Sequence, residues 1–166
     1  MKREYTLLQV GRPDIISRIA SVEPDIVSRA IKLGVIKNPE EARVRTLDAR
    51  DLGKTVAYFQ HTFAAANTME KYVDAYEVKG KVICIFGAAF TSDLQNLVNI
   101  RFGKGVPVRP VFETGLVDAA YVQQEPKVLF SEDVWVEPGE KLTIELESRA
   151  IGAENFVLMG LVCEKA

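Results

Sequence analysis

The chain has 166 residues, of which 48% are apolar and 27% charged, with a formal net charge of -2. That is the composition of an ordinary globular domain, and a chain this long buries roughly 70% of its unfolded surface in one core. No run of 18 apolar residues is present to cross a bilayer as a helix. The 2 cysteines are too few for a metal cluster, and the near-neutral charge argues against nucleic-acid binding through phosphate contacts.

Arg3, Glu4, Arg12, Asp14 and Arg18 interrupt the first 20 residues, so no leader-peptide core is expected there. Charge is uneven along the chain. Residues 1–60 hold 11 Lys or Arg against 8 Asp or Glu, a net of +3, whereas residues 61–166 hold 10 against 15, a net of -5. This points to an arm and a body that meet different surfaces. Pro13-Asp14-Ile15-Ile16-Ser17-Arg18 is echoed 11 residues later by Pro24-Asp25-Ile26-Val27-Ser28-Arg29. Proline followed by an acid suits a helix first turn, where no N–H is needed and negative charge meets the dipole. The spacing predicts two short helices, about 14–21 and 25–33, separated at Pro24 and stopped by Gly34. Asn38-Pro39-Glu40-Glu41 predicts a further turn. Residues 48–53 have loop character, 55–63 strand composition, and 64–67 suit a short helix or a linker.

From Tyr72 the texture becomes that of short strands. Residues 72–78 alternate loosely, and Val82-Ile83-Cys84-Ile85-Phe86 is a buried-strand run. Residues 97–102 alternate up to Gly103-Lys104-Gly105, and Pro107 and Pro110 then suit an edge strand or irregular segment. Lys127-Val128-Leu129-Phe130 follows Pro126. Asp133-Val134-Trp135-Val136 leads into the Pro-Gly turn Glu137-Pro138-Gly139-Glu140. After it Leu142, Ile144 and Leu146 alternate with Thr143, Glu145 and Glu147, the signature of a half-buried antiparallel strand. Residues 155–163 form a last strand. Strands at this spacing predict a sandwich or barrel.

The chemical inventory is thin. His61 is the single histidine and sits in an apolar stretch, which suits a structural or surface residue. No Gly-x-Ser-x-Gly elbow, P-loop or EF-hand loop is present. Glu145 and Glu147 share the outward face of their strand, where charge guards against unwanted pairing, so a glycosidase-like carboxylate pair is the weaker reading. Cys84 and Cys163 lie in apolar runs and read as buried free thiols. Arg101, Lys104 and Arg109 flank the glycine loop. Loop N–H groups with three cations suit a phosphate or carboxylate, and a hairpin with solvated ends is the plainer alternative. Trp135 is either an interface anchor or part of the sandwich core. Arg18 and Arg29, which close the two echoes, complete the set of candidate interface residues. No cofactor or metal is expected.

The segment 133–146 resembles late strands of bacteriophage virion proteins, in particular single-jelly-roll capsid proteins and capsid decoration (cement) proteins. The resemblance spans about residues 72–166 and is one of texture: short strands, Pro-Gly turns, a preceding arm and no catalytic inventory. It implies a mainly β chain, an antiparallel sandwich or jelly-roll-like body over 71–166 with an N-terminal arm of short helices and loops over 1–70. It also implies a non-enzymatic virion protein, assembled in the host cytoplasm, that binds copies of itself and the major capsid protein or neighbouring shell subunits, without specific nucleic-acid contacts. A carbohydrate-binding module is the alternative, and an enzyme using tail carboxylates or His61 the third reading. The arm's positive charge favours a seat on an acidic neighbouring subunit, a salt-sensitive contact because surface charges are screened within ~10 Å at 0.1 M salt.

Overall fold

Residues 82–90 are apolar or glycine at every position, with no alternation. Such a run needs cover on both faces. In the computed structural model, which describes residues 1–5, 13–90, 96–117 and 127–166, this run forms most of β5 (Lys81–Phe90), and every one of its residues is buried. Arg12 and Pro126 lie outside the described residues. One face of β5 looks into a β-sandwich and the other lies under a helix.

The larger sheet carries, in order, β3 (Phe59–Phe63), β10 (Gly152–Lys165), β5 and β8 (Lys127–Val136). β2 (Ala42–Thr46) shares the flank of β10 with β3, and β1 (Lys2–Glu4) adds outside β2 in parallel. The smaller sheet is β4 (Met69–Glu77), β9 (Lys141–Ser148), β6 (Leu97–Lys104) and β7 (Arg109–Glu113). All neighbours among β3 to β10 are antiparallel. The orders 3-10-5-8 and 4-9-6-7 are those of a jelly roll, two Greek keys folded face to face. The antiparallel sandwich expected from the sequence is therefore present, and Leu142, Ile144 and Leu146 fill its core at 0% exposure together with Phe63, Phe102 and Phe130.

The N-terminal part differs from its expectation. Instead of two short helices there is one, α1 (Pro13–Lys32), with Pro24 inside it. An interior proline removes one helical hydrogen bond and costs ~3 kcal/mol. Here Pro24 and Ala20, whose carbonyl loses its partner, are both exposed to water. The buried stripe Ile15, Ile19, Val22, Ile26 and Ala30 runs in phase through the proline. It covers the outer face of the larger sheet, against Val44, Val82, Cys84, Phe86, Met159 and Leu161. Burial of that stripe overrides the local penalty, and Gly34, at φ 75°, ends the helix as expected.

The turn predicted at Asn38 is a 3₁₀ turn (Pro39–Glu41) capped by the Asn38 side chain. The expected loop at 48–53 contains a second 3₁₀ turn (Ala49–Leu52), closed by reciprocal Asp48 and Asp51 caps. Residues 1–70 thus supply α1 and the three strands β1, β2 and β3 to the larger sheet, and the expected 70/71 boundary falls within β4. Segments 127–130 and 133–136 are one strand, β8, whose register shifts between them. Pro110 lies in β7, at a sheet edge, where a missing donor is tolerated.

Gly160 sits where β10 approaches β5 closely. A Cβ there would collide with the Cys84 carbonyl oxygen and lie 3.2 Å from the Ile85 Cα. Gly160→Ala is therefore expected to cost ~1–3 kcal/mol, read as a lowered thermal midpoint. An unchanged midpoint would mean that β5 and β10 part freely at this bulge.

Candidate interaction surface

The single histidine has structural partners. His61 Nε2 lies 3.1 Å from Glu70 Oε1, and its ring stands edge-on to Phe63 with centroids 4.6 Å apart. Glu70 also accepts from the backbone N–H groups of Ala65 and Ala64 at 2.9 and 3.0 Å, clasping the β3–β4 turn. Those bonds, with that of His61, hold its carboxyl below the usual range. Among the described residues no three His, Cys, Asp or Glu side chains are disposed to hold a metal ion.

Cys84 and Cys163 are free and buried on the helix side of the larger sheet, as the sequence led us to expect. Burial pushes the Cys163 thiol up to about 11 and raises that of Cys84 further. Neither is expected to react with a thiol reagent at pH 8 in the folded chain, and both should react after unfolding. Rapid labelling of the native protein would contradict the seal formed by α1.

The six candidate interface residues fall into two groups. Arg18, Arg29 and Trp135 meet at the seam between α1 and β8. Arg18 Nε is 3.2 Å from Asp133 Oδ1, and its Nη2 donates to the Phe130 carbonyl. Arg29 Cζ stands 3.9 Å from the centre of the Trp135 ring, and its Nη1 is 3.7 Å from Glu137. Trp135 is thus outside the sandwich core, half-buried beneath the helix. Lys127 Nζ pairs with Asp14 at 3.0 Å in the opposite sense. The basic front half and acidic back half meet here within one chain. Trp135 is the only tryptophan, so its fluorescence reports this seam. Arg29→Ala is expected to shift its emission and to cost about 0.5–2 kcal/mol; identical spectra and stability would contradict the contact.

Arg101, Lys104 and Arg109 do not converge on one point. Arg101 pairs with Glu113 at 3.4 Å and Glu145 at 3.9 Å. Lys104 instead donates to the Trp135 carbonyl at 2.9 Å and pairs with Glu140 at 3.1 Å. Arg109, its ladder neighbour, is exposed. Arg101 and Lys104 are thus already paired with carboxylates of their own chain.

Two of the candidate cations, with Lys54, bond edge strands. Arg18 and Lys104 bond main-chain carbonyls of edge strand β8, and Lys54 bonds the Tyr72 carbonyl of edge strand β4. β7 carries Pro110 and a register shift against β6. Lysines, prolines and bulges are the devices that stop a sheet from adding strands.

The sequence reading missed the tip of the β6–β7 hairpin as a surface. Val106 is 70% exposed, Val108 41% and Val111 36%, and Leu116 just beyond is 73% exposed. Gly105-Val106-Pro107-Val108-Arg109-Pro110-Val111 held the signal: an apolar run that prolines keep out of a central strand. Among the described residues Tyr58 is the one exposed aromatic ring.

No protein-family model matches the chain, and no curated protein matches it in sequence. Among solved structures it is similar to VP2 of infectious bursal disease virus in its subviral particle, at 12% identity and a TM-score of 0.38, covering 75% of this chain and 32% of that one. It therefore spans about a third of that protein's length. It is also similar to the C-terminal CBM6 of LamC, a marine laminarinase from Zobellia galactanivorans, at 11% identity and a TM-score of 0.33, covering 74% of this chain and 99% of that one. A pentameric capsid protein from metagenomic phage sequences is similar at 14% identity and a TM-score of 0.30, covering 80% and 67%.

Proposed function

We propose that this chain is a non-enzymatic structural protein of a virion shell. In this reading it is a capsid or capsid-decorating jelly roll that associates with copies of itself and with neighbouring shell subunits such as a major capsid protein. The observation that carries the reading is the exposed apolar tip of the β6–β7 hairpin. The outer face of the larger sheet is sealed by α1, and cations guard edge strands β8 and β4. Val106 and Val108 at the hairpin tip are exposed, and exposed apolar surface grouped together marks interaction sites. The texture of residues 133–146 supports a virion setting. A glycan-binding module would instead need a platform of solvent-facing rings, and among the described residues Tyr58 is the one exposed ring.

Electron microscopy of the purified chain across a concentration series tests this. Rings, closed particles or ordered arrays are expected. Single 166-residue particles at every concentration, together with selective binding on a glycan array, would overturn it in favour of the binding module.

A further inference from the structure

A strand at the edge of a sheet presents a row of N–H and C=O groups that can take up a further strand. Among the described residues β1, β3 and β8 stand at such edges in the larger sheet, and β4 and β7 in the smaller. β8 and β4 have cations on their main-chain carbonyls. β7 holds Pro110 and a register shift, and β1 is short, with Lys2, Arg3 and Glu4 all charged. Those features oppose strand addition. β3 has none of them. It reads Phe59-Gln60-His61-Thr62-Phe63, runs in unbroken register along β10, and is in no other ladder among the described residues.

The side chains of β3 say what kind of strand fits. Phe59 and Phe63 are buried in the sandwich, while Gln60 and Thr62 are exposed on the outer face. No Asp, Glu, Lys or Arg occurs between Lys54 and Glu70, the longest such stretch in the chain. Across a two-fold axis each outward residue lies near its own kind, so a charged edge repels its copy. This uncharged edge does not.

We propose that β3 pairs antiparallel with β3 of a second copy, joining the two larger sheets into one. The strand is self-complementary when turned end for end. With His61 opposite the partner's His61, Phe59 meets the partner's Phe63 and Gln60 meets the partner's Thr62. Gln60 Nε2 donates to Asn155 at 3.0 Å, which leaves the amide oxygen to accept from the hydroxyl of the partner's Thr62. Each His61 stays on its own Glu70, 3.1 Å away, so the central pair brings no unbalanced charge together. Tyr58, 61% exposed, falls over the partner's Ala64, a small exposed residue. An aromatic ring laid on a neighbour in this way is a common anchor of interfaces. The inference rests on the self-association proposed above and adds to the hairpin tip a second contact, an isologous one that closes at two copies.

Sedimentation velocity of the full chain tests this, with Val106→Asp and Val108→Asp introduced throughout to silence the hairpin tip. The chain carrying those two changes alone is expected to form dimers and nothing larger. Adding Gln60→Lys and Thr62→Lys, both at exposed positions, should weaken the dimer at least ~10-fold, because each lysine then faces another across the join. Gln60→Glu with Thr62→Glu should do the same. A 1:1 mixture of the lysine and glutamate chains should dimerise again, since the register sets opposite charges face to face. Three results would each show the β3 pairing to be wrong while the shell reading stands, provided the unsubstituted chain assembles: a monomeric hairpin-silenced chain, a lysine chain that dimerises as well as its parent, or a mixture that stays monomeric. An unsubstituted chain that is monomeric at every concentration overturns both.

Discussion

Asp51→Ala is expected to destabilise the chain by about 3–5 kcal/mol, the cost of breaking one partner out of a buried ion network. Asp51 is 2% exposed. Its two oxygens take Arg45 at 2.7 and 2.5 Å, Lys81 at 2.9 Å and the Asp48 backbone N–H at 3.0 Å. Arg45 comes from β2 and Lys81 from β5, so one carboxylate ties the second 3₁₀ turn to two strands of the larger sheet. Arg45 also reaches Glu164 of β10 at 2.9 Å. Removing Asp51 leaves two cations whose side chains are each 16% exposed, which puts the cost toward the lower end of that range. Urea titration measures it, and a midpoint within error of the unsubstituted chain would contradict the network.

The same residue makes stability depend on pH. Burial alone would raise the Asp51 pKa above its ordinary 3.8, but the bonds from Arg45, Asp48 and Lys81 outweigh burial and hold it lower. A carboxyl depressed in the folded state contributes stability that is complete above its unfolded pKa and is lost as pH falls through the folded value. The unsubstituted chain should therefore lose stability on acidification below about pH 4–5, and Asp51→Ala should lose less over that window. Parallel curves for the two chains would show that Asp51 is not the group titrating.

Phe86→Ala should have a comparable effect, about 3–5 kcal/mol. Phe86 is fully buried on the face of β5 that meets α1, not in the sandwich core. Its loss leaves a cavity beneath the helix, so unfolding of α1 should become easier than unfolding of the two sheets. Hydrogen exchange should then quicken first at residues 13–32, together with a change in Trp135 emission. Uniform acceleration throughout the chain would show that helix and sandwich are one cooperative unit.

These residues also show what could be seen in the chain beforehand. Leu142, Ile144 and Leu146 declare a strand because one face meets water and alternation results. The 82–86 run declares a buried strand for the opposite reason, but what buries it is not local. Its second cover is α1, which the local signal of Pro24 divides; the contact with β5 and β10 makes the continuous helix favourable. β2, Ala42-Arg43-Val44-Arg45-Thr46, does alternate, yet its arginines are long-range partners of Glu4 and Glu164, with Asp51 nearer in the chain, and look in isolation like a charged linker. Arg29 and Trp135 both stood out by residue type as candidate interface residues. That they meet each other, 106 positions apart, depends on the jelly-roll path. Val106 and Val108 carry the opposite lesson. Valine is usually interior, and only the position of the hairpin at a sheet edge turns these two outward.

The charge asymmetry also takes a different meaning. Arg18, Arg29, Arg43 and Arg45 meet Asp133, Glu137 and Glu164 of the same chain. The association proposed through the apolar hairpin tip should therefore be weakened by added salt far less than a contact between an arm and an acidic neighbour.

Light scattering of the full chain over a concentration series, at low and high salt, addresses the shell-protein reading most directly. The account predicts a mass that rises above one chain with concentration and persists at high salt. A mass of one chain under every condition would contradict it.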